Sequence, residues 1–451
     1  MRTTQPPYRS TDPATGEVLA TFETATDAAV HHAIAAADAA YHQWRRRPLE
    51  ERADIVRTAG KLLRERADRL AELARLEMGK KHAQGAGETR FSASIFEYYA
   101  DNAAALLADE PLPGFTGGRA VIRRRPVGVL LGVMPWNFPV YQIARFAAPN
   151  LLLGNTILLK HAESVPQCAL AVAELLHDAG VPEDVYINLF ASHDQVAEII
   201  ADARVQGVSV TGSERAGAAV AELAGRSLKK CVLELGGSDP FIVLDGDPAE
   251  LARTAWDFRM HNMGQACNSN KRIIVVDPLF DDFVAALVEL ARNETEVAPL
   301  SSRAAAELLA AQVADAVDKG ATLHVGGQLS DPPAAFFTPA VLTGVRPGMR
   351  AFTEELFGPV AVVYRVADDD AAVELANASP YGLGGSVFST DVARAEAVAR
   401  RLEAGMVNVN TPAGDGPDIP FGGIKRSGFG RELGALGIDE FANKQVYIVA
   451  G

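Results

Sequence analysis

The sequence predicts an α/β protein: two blocks of parallel sheet covered by helices, with a small β arm outside both. Three observations predict it. Strand-like segments between 127 and 237 are apolar throughout instead of alternating, as strands buried on both faces are. Segments with apolar residues at three- and four-residue spacing separate them and read as helices. After Gly237 the alternation starts again, and 451 residues suit two or three domains.

In order, "STDPATGEVLATF" is turn-rich, and "DAAVHHAIAAADAAYHQW" and the long run 49–80 are helical. "VGVLLGVM" and "NTILLK" are strands, "ESVPQCALAVAELLHDAG" a helix, and "DVYINLF" a strand. "DQVAEIIAD" (helix), "VQGVSVTGS" (strand), "ERAGAAVAELAGR" (helix) and "KKCVLELGG" (strand) complete the first block. In the second block, "PFIVLD", "KRIIVVD", "PVAVVYRV", "GGSVFS" and "GMVNVN" are strands, while 278–292 and 303–319 are helices. "AVIRRR" (120–125) and "QVYIVA" (445–450) are strands outside both blocks. An isolated strand pair needs something to pack on, so these form an arm suited to docking on another subunit.

The net charge of −14 argues against a nucleic-acid surface and against anionic membranes. The start, "MRTTQPPYRS", has no apolar core of a signal peptide, and no run is long enough to span a bilayer. Three scattered cysteines make no disulfide framework and point to a reducing cytoplasm. Cys168, Cys231 and Cys267 lack zinc-ligand spacing, so no metal site is expected.

Three short stretches carry chemistry. In "HNMGQACNSNKR", Cys267 follows a helical segment and precedes the strand 272–276, among residues small enough to admit a ligand. Alone, it fits a small buried hydrophobe as well as a nucleophile, which would need its thiolate favoured. In "LELGGSDPF", Glu234 ends an apolar strand, where a carboxylate is costly without a task or a partner. It fits a base acting on a thiol or a water, and equally a capping or ion-paired residue. In "GVMPWNFPVYQIAR", two prolines fix a loop carrying Asn137, an amide suited to an oxyanion hole although common in turns.

Together these stretches, with "ILLKHAE" (157–163), "VTGSERAG" (210–217), "EELFGP" (354–359) and "PFGGIKRSGFGRELG" (420–434), resemble the NAD(P)-dependent aldehyde dehydrogenases nearly end to end. Within that family the wording is most similar to the shorter bacterial succinate-semialdehyde dehydrogenases. The resemblance implies a Rossmann-type dinucleotide-binding domain (1–109 and 127–235), an α/β catalytic domain (236–427) and an oligomerisation arm (110–126 and 428–451) that builds a homodimer or homotetramer. It implies Cys267 as nucleophile, forming a thiohemiacetal and then a thioester with a small-molecule aldehyde. Asn137 would hold the oxyanion, Glu234 would activate water, and Glu432 would relay the proton.

No G-x-G-x-x-G follows a strand, yet Gly212, Ser213 and the helix start after them can still receive a pyrophosphate. By resemblance, Lys160 and Glu163 hold the adenosine ribose, and Glu355 and Phe357 the nicotinamide ribose. Trp136, Gly217 and Leu235 also belong to the cofactor site. Glu163 matches an acid found in NAD-preferring members, and it would repel a 2′-phosphate. NAD is therefore the expected cofactor, with NADP possible.

Arg145 stands where succinate-semialdehyde dehydrogenases clamp the substrate carboxylate, a role suited to its planar fork. Phe421 belongs to the same pocket. A second arginine of those enzymes is His261 here, and the connection 293–302 is shorter than usual. The alternatives are another short aliphatic or acid semialdehyde, acyl transfer to coenzyme A, or a non-catalytic protein that inherited the fold. The glutamate at 234 speaks against acyl transfer to a thiol, and the retained site residues speak against loss of catalysis.

Overall fold

The computed structural model describes residues 8–451. Residues 1–7, which hold most of the segment read for a signal peptide and the start of the expected first domain, lie outside the described residues.

One sheet has the order Gly428–Phe429, Lys230–Glu234, Val205–Thr211, Val129–Met134, Thr156–His161, Tyr186–Asn188. All pairings are parallel except that of Gly428–Phe429 with Lys230–Glu234. Leu130, Leu131, Ile157, Leu158 and Val208 are buried in it, which is why these strands read as continuous apolar runs. Helices start on local signals. Ser192 accepts from the Gln195 backbone N–H, and the Gln195 side chain accepts from the Ser192 N–H. Ser213 accepts from the Ala216 N–H at the head of Glu214–Arg226.

A second sheet has the order Thr322–Val325, Ala340–Thr343, Val360–Val366, Arg272–Val276, Pro240–Val243, Gly384–Phe388, Met406–Val409. Only Thr322–Val325 is antiparallel to its neighbour. Its core is continuous from Phe241 through Ile273 and Val362 to Val387. The third sheet pairs Gly118–Pro126 with Ala442–Ala450 along their whole length, with Glu110–Pro111 on the other side. The strand Ala442–Ala450 is mostly exposed, Val446 at 59% and Ile448 at 53%.

Two differences from the sequence reading matter for the site. The run 49–80 is two helices, Leu49–Glu65 and Ala67–Met78, which meet at Arg66. The stretch 428–441, grouped with the arm, packs elsewhere. Gly428–Phe429 joins the first sheet, and Gly434–Glu440 lies on the helix Tyr141–Leu153. This detour carries Glu432 into the molecule's interior, where it is 4% exposed.

Candidate active site

Val129–Met134 and Val205–Thr211 are neighbours whose onward connections leave in opposite directions. Loops diverge at such a switch point, and a crevice opens at the carboxyl ends of the strands. "PWNFP" follows Met134, Gly212-Ser213 follows Thr211, and Glu234 ends the adjacent strand Lys230–Glu234. Gly217 packs so tightly that a Cβ there would lie 2.6 Å from the Leu235 side chain, which draws the helix Glu214–Arg226 onto the strand end. Ser213 and the first turn of that helix stay accessible at the crevice. Lys160, 4% exposed, forms an ion pair with half-buried Glu163, whose carboxylate also lies 3.6 Å from His193 Nε2. Burial would raise the Glu163 carboxyl, but Lys160 holds it below the ordinary range. Burial lowers the Lys160 ammonium against the pull of Glu163.

The Trp136 and Phe357 rings meet edge to face at 5.7 Å. Glu355 accepts from the Gly237 N–H at 3.1 Å and pairs with Lys271 at 3.0 Å. The opposite wall is the loop that carries Cys267. It begins with three left-handed residues, Asn262 (φ 51°), Met263 (φ 52°) and Gly264 (φ 72°), of which only the glycine adopts that conformation freely. A Cβ on Gly264 would lie 2.2 Å from the Gly358 carbonyl.

Cys267 is half-buried, and burial pushes its thiol up to about 12, opposed by Arg145 and Lys271 and reinforced by Glu355 and Glu234. Asn137, 5% exposed, donates from Nδ2 to the Gln265 carbonyl at 3.1 Å, while its Oδ1 has no hydrogen-bond partner. Glu234 is 1% exposed, with neither carboxyl oxygen hydrogen-bonded. Burial, then repulsion from Glu432, raises its carboxyl well above the carboxylate range, against Arg145 and Arg431. The sequence motifs scattered over 137, 234 and 267 thus converge, and Glu432 and Arg145 join them.

Arg145 is the main departure from expectation. It is not an open clamp. Its Nε lies 2.8 Å from Glu432 Oε2, too poorly aligned for a hydrogen bond, and its Nη2 meets Gln142 Oε1. The guanidinium carbon sits 4.5 Å from the Phe421 ring centre and 4.7 Å from that of Tyr141. Phe421, but not Arg145, lines a cavity of about 330 Å³ that also reaches Asn268, the residue after Cys267. His261 is exposed and stacked on Phe138 at 5.8 Å, and it does not line that cavity. Burial and Lys80 lower its imidazole to about 4, so at neutral pH it offers no positive charge to replace the missing arginine.

Several residues that shape the site escape a sequence reading. Arg259 is fully buried and donates to the carbonyls of Gly264, Leu356, Gly358 and Val360 and to Ser269 Oγ. Lys271 donates to the Ala266 and Cys267 carbonyls at 2.6 and 2.8 Å. Buried Lys80 pairs with Glu88, and Glu88 accepts from the Val140 and Tyr141 N–H groups at the head of the Arg145 helix. The one available signal was a charged residue leading into an apolar strand, as in "KRIIVVD". Among the described residues no cluster of histidine, cysteine and acidic side chains could hold a metal, and no helix is long and apolar enough to cross a membrane.

Residues 1–447 match the model of the aldehyde dehydrogenase family. The chain is 53% identical to a succinate-semialdehyde dehydrogenase [NADP(+)] of Deinococcus radiodurans, over 98% of this chain and 94% of that one. It is 44% identical to its counterpart in Mycobacterium ulcerans, covering 98% and 100%. The crystal structure of the Streptococcus pyogenes succinic semialdehyde dehydrogenase in complex with NADP+ superposes with a TM-score of 0.95 at 41% identity, over 98% and 100% of the chains. The fold, the converging site and these relatives agree, and the chain belongs to the aldehyde dehydrogenase family, oxidising aldehydes with a nicotinamide dinucleotide.

Proposed function

We propose that the chain oxidises a short acid semialdehyde, succinate semialdehyde first, to the corresponding acid. One observation carries the reading: a thiol, a rigid amide and an unpaired buried carboxyl, at 267, 137 and 234, converge beside a dinucleotide-type crevice. Glu234, which burial keeps protonated, first releases its proton towards Glu432, and Cys267 Sγ then adds to the aldehyde carbon as the thiol proton passes to the freed Glu234 carboxylate. A protonated thiol needs that acceptor, because burial keeps it from ionising unaided. The second Nδ2 hydrogen of Asn137 and the Cys267 N–H hold the oxyanion.

An aldehyde has no leaving group, so the tetrahedral adduct must precede hydride departure, which leaves a thioester on Cys267. Bound NAD(P)+ supplies the hydride acceptor. Glu234, having passed its proton towards Glu432, then takes one from water as the water oxygen attacks the thioester carbon. The Cys267 thiolate departs and the acid is released. A carboxyl without hydrogen bonds at this point suits water as the acceptor better than acyl transfer to another thiol.

The cofactor's pyrophosphate would lie on Gly212, Ser213 and the helix start, with Trp136, Gly217 and Leu235 around it. Lys160 and Glu163 would hold the adenosine ribose, and Glu355 and Phe357 the nicotinamide ribose. We infer an NAD preference from Glu163, whose carboxylate would repel a 2′-phosphate on the adenosine ribose; Lys160 beside it leaves NADP usable. Cytoplasmic residence fits three free thiols. The long exposed arm strand fits a second copy of the chain, giving a dimer or tetramer.

Initial rates with succinate semialdehyde and neutral butanal, each with NAD and NADP, test this. NAD should win several-fold in kcat/KM. Arg145→Ala should raise KM for succinate semialdehyde roughly 10- to 100-fold, the range of a charge-assisted hydrogen bond, and leave butanal little changed. Equal effects on the two aldehydes would end the acid-semialdehyde reading.

A further inference from the structure

Arg145 carries one positive charge, and the acid-semialdehyde reading, on which this inference rests, gives it two anions to serve. Glu432 already holds its Nε side. Its Nη1 is buried and has no hydrogen-bond partner, a donor left open in a dry environment. The ring of Phe421 covers the guanidinium from the cavity side. The two obstacles between cavity and cation, Phe421 and Glu432, are tied to each other: the Phe421 N–H donates to the Glu432 carbonyl at 2.7 Å, and the Glu432 N–H to the Phe421 carbonyl at 2.8 Å. One small bridge therefore carries both the cover and the counter-ion.

A substrate carboxylate added to this arrangement would set two anions on one buried cation beside a third carboxyl, Glu234. Unpaired buried charge is too costly to persist. We propose that the substrate carboxylate replaces Glu432 on the Arg145 guanidinium, with Phe421 moving aside, and so frees Glu432 to exchange protons with Glu234. Acid substrates assemble the relay as they bind. Neutral aldehydes leave Glu432 locked on Arg145, so they are disfavoured in kcat as well as in KM.

The test compares the parent with Glu432→Gln and Arg145→Ala, using succinate as an unreactive dicarboxylate and butanal as a neutral substrate. In Glu432→Gln the competitor for the guanidinium loses its charge. The inhibition constant of succinate should fall several-fold and succinate should raise Tm more than in the parent. KM for butanal should stay unchanged, and kcat for succinate semialdehyde should fall to the level of butanal. A structural role alone would not tighten a dicarboxylate. Should the amide variant fold poorly, Glu432→Asp, with a shorter reach, should show a smaller tightening in the same direction. Succinate bound equally or more weakly by both Glu432 variants, with Arg145→Ala still losing it, overturns the exchange and leaves the clamp standing. Succinate inhibition undiminished in Arg145→Ala overturns the clamp and the exchange together.

Discussion

The two walls of the crevice are built on opposite rules. On the Cys267 side, Arg259 and Lys271 are buried cations whose hydrogen bonds end mostly on main-chain carbonyls, from Gly264 to Cys267 and across to Leu356, Gly358 and Val360, with Ser269 Oγ and Glu355 completing their partners. On the side of Glu234, more polar atoms stand open than the Oδ1 atoms of Asn262 and Asn270 on the Cys267 side. Both oxygens of Glu234, Nε and Nη1 of Arg145, Oε2 of Glu432 and Oδ1 of Asn137 have no hydrogen-bond partner. Buried polar atoms are nearly always satisfied, so a concentration of open ones is costly and marks where bonds are to change. Satisfied cations position the site, and unsatisfied groups act in it.

The largest expected effects lie on the reacting groups. Cys267→Ser should lower kcat by at least about 10³-fold, because a serine hydroxyl ionises far less readily and nothing else can carry the acyl group. Glu234→Gln should lower kcat by about 10²- to 10⁴-fold, the usual worth of a positioned base. It should also slow alkylation of Cys267 by iodoacetamide, because the thiol loses its proton acceptor. Both variants should keep their fold by circular dichroism. Parent-like turnover in Glu234→Gln would remove the base from the acting wall and break the comparison.

On the positioning wall the expected loss is in stability. Arg259→Met deletes the hydrogen bonds to four carbonyls and a hydroxyl, of which the Leu356 and Gly358 carbonyls keep a backbone donor, and each group left unsatisfied costs about 1–3 kcal/mol. A loss of about 3 kcal/mol or more follows, read as a lower Tm and a lower urea midpoint. Activity per folded molecule should fall less than in Glu234→Gln. A variant as stable as the parent would show that the loop holds its left-handed turn at 262–264 without this brace.

Local chemistry was legible in the sequence, and long-range pairing was not. Apolar runs and helical spacing reveal both main sheets, because strands buried on both faces differ sharply from amphipathic helices. Thr322–Val325 was missed: it is a short edge strand with alternating exposure. The helix His82–Asp101 lies in the N-terminal stretch that the sequence marks only broadly as helical, and its mix of small and large buried residues forms no clean apolar stripe to set its bounds. Cys267, Asn137 and Glu234 lie in compact motifs, and the structure brings them together. Arg145 and Glu432 were both singled out, but with separate tasks. Nothing local says that they meet, because a strand pairing that leads the C-terminal stretch back under the first sheet brings Glu432 there. Arg259 acts through four carbonyls and one hydroxyl, and a carbonyl partner has no signature in sequence.

The smallest expected effect separates the two walls by the sign of a pH dependence. Burial and Glu432 raise the Glu234 carboxyl in the folded protein. Below its unfolded value, about 4.3, both states are protonated and the residue costs nothing. As pH rises past that value the unfolded chain releases the proton while the folded chain keeps it, so stability declines until the raised folded value is reached. Glu234→Gln removes that decline. It should stabilise the protein at pH 7.5 by about 0.5–2 kcal/mol, the range typical of relieving an active-site conflict, with no gain at pH 4. Lys271→Met, on the opposite wall, removes the side-chain donor to the Ala266 and Cys267 carbonyls, the first of which keeps only the Ser269 N–H at 3.3 Å, and should lower stability at both pH values. Melting curves of the two variants at pH 4 and 7.5 decide the point. Shifts of the same sign at pH 7.5 would mean that the open carboxyl is held as firmly as the satisfied ammonium, and that open atoms do not mark the working side of this crevice.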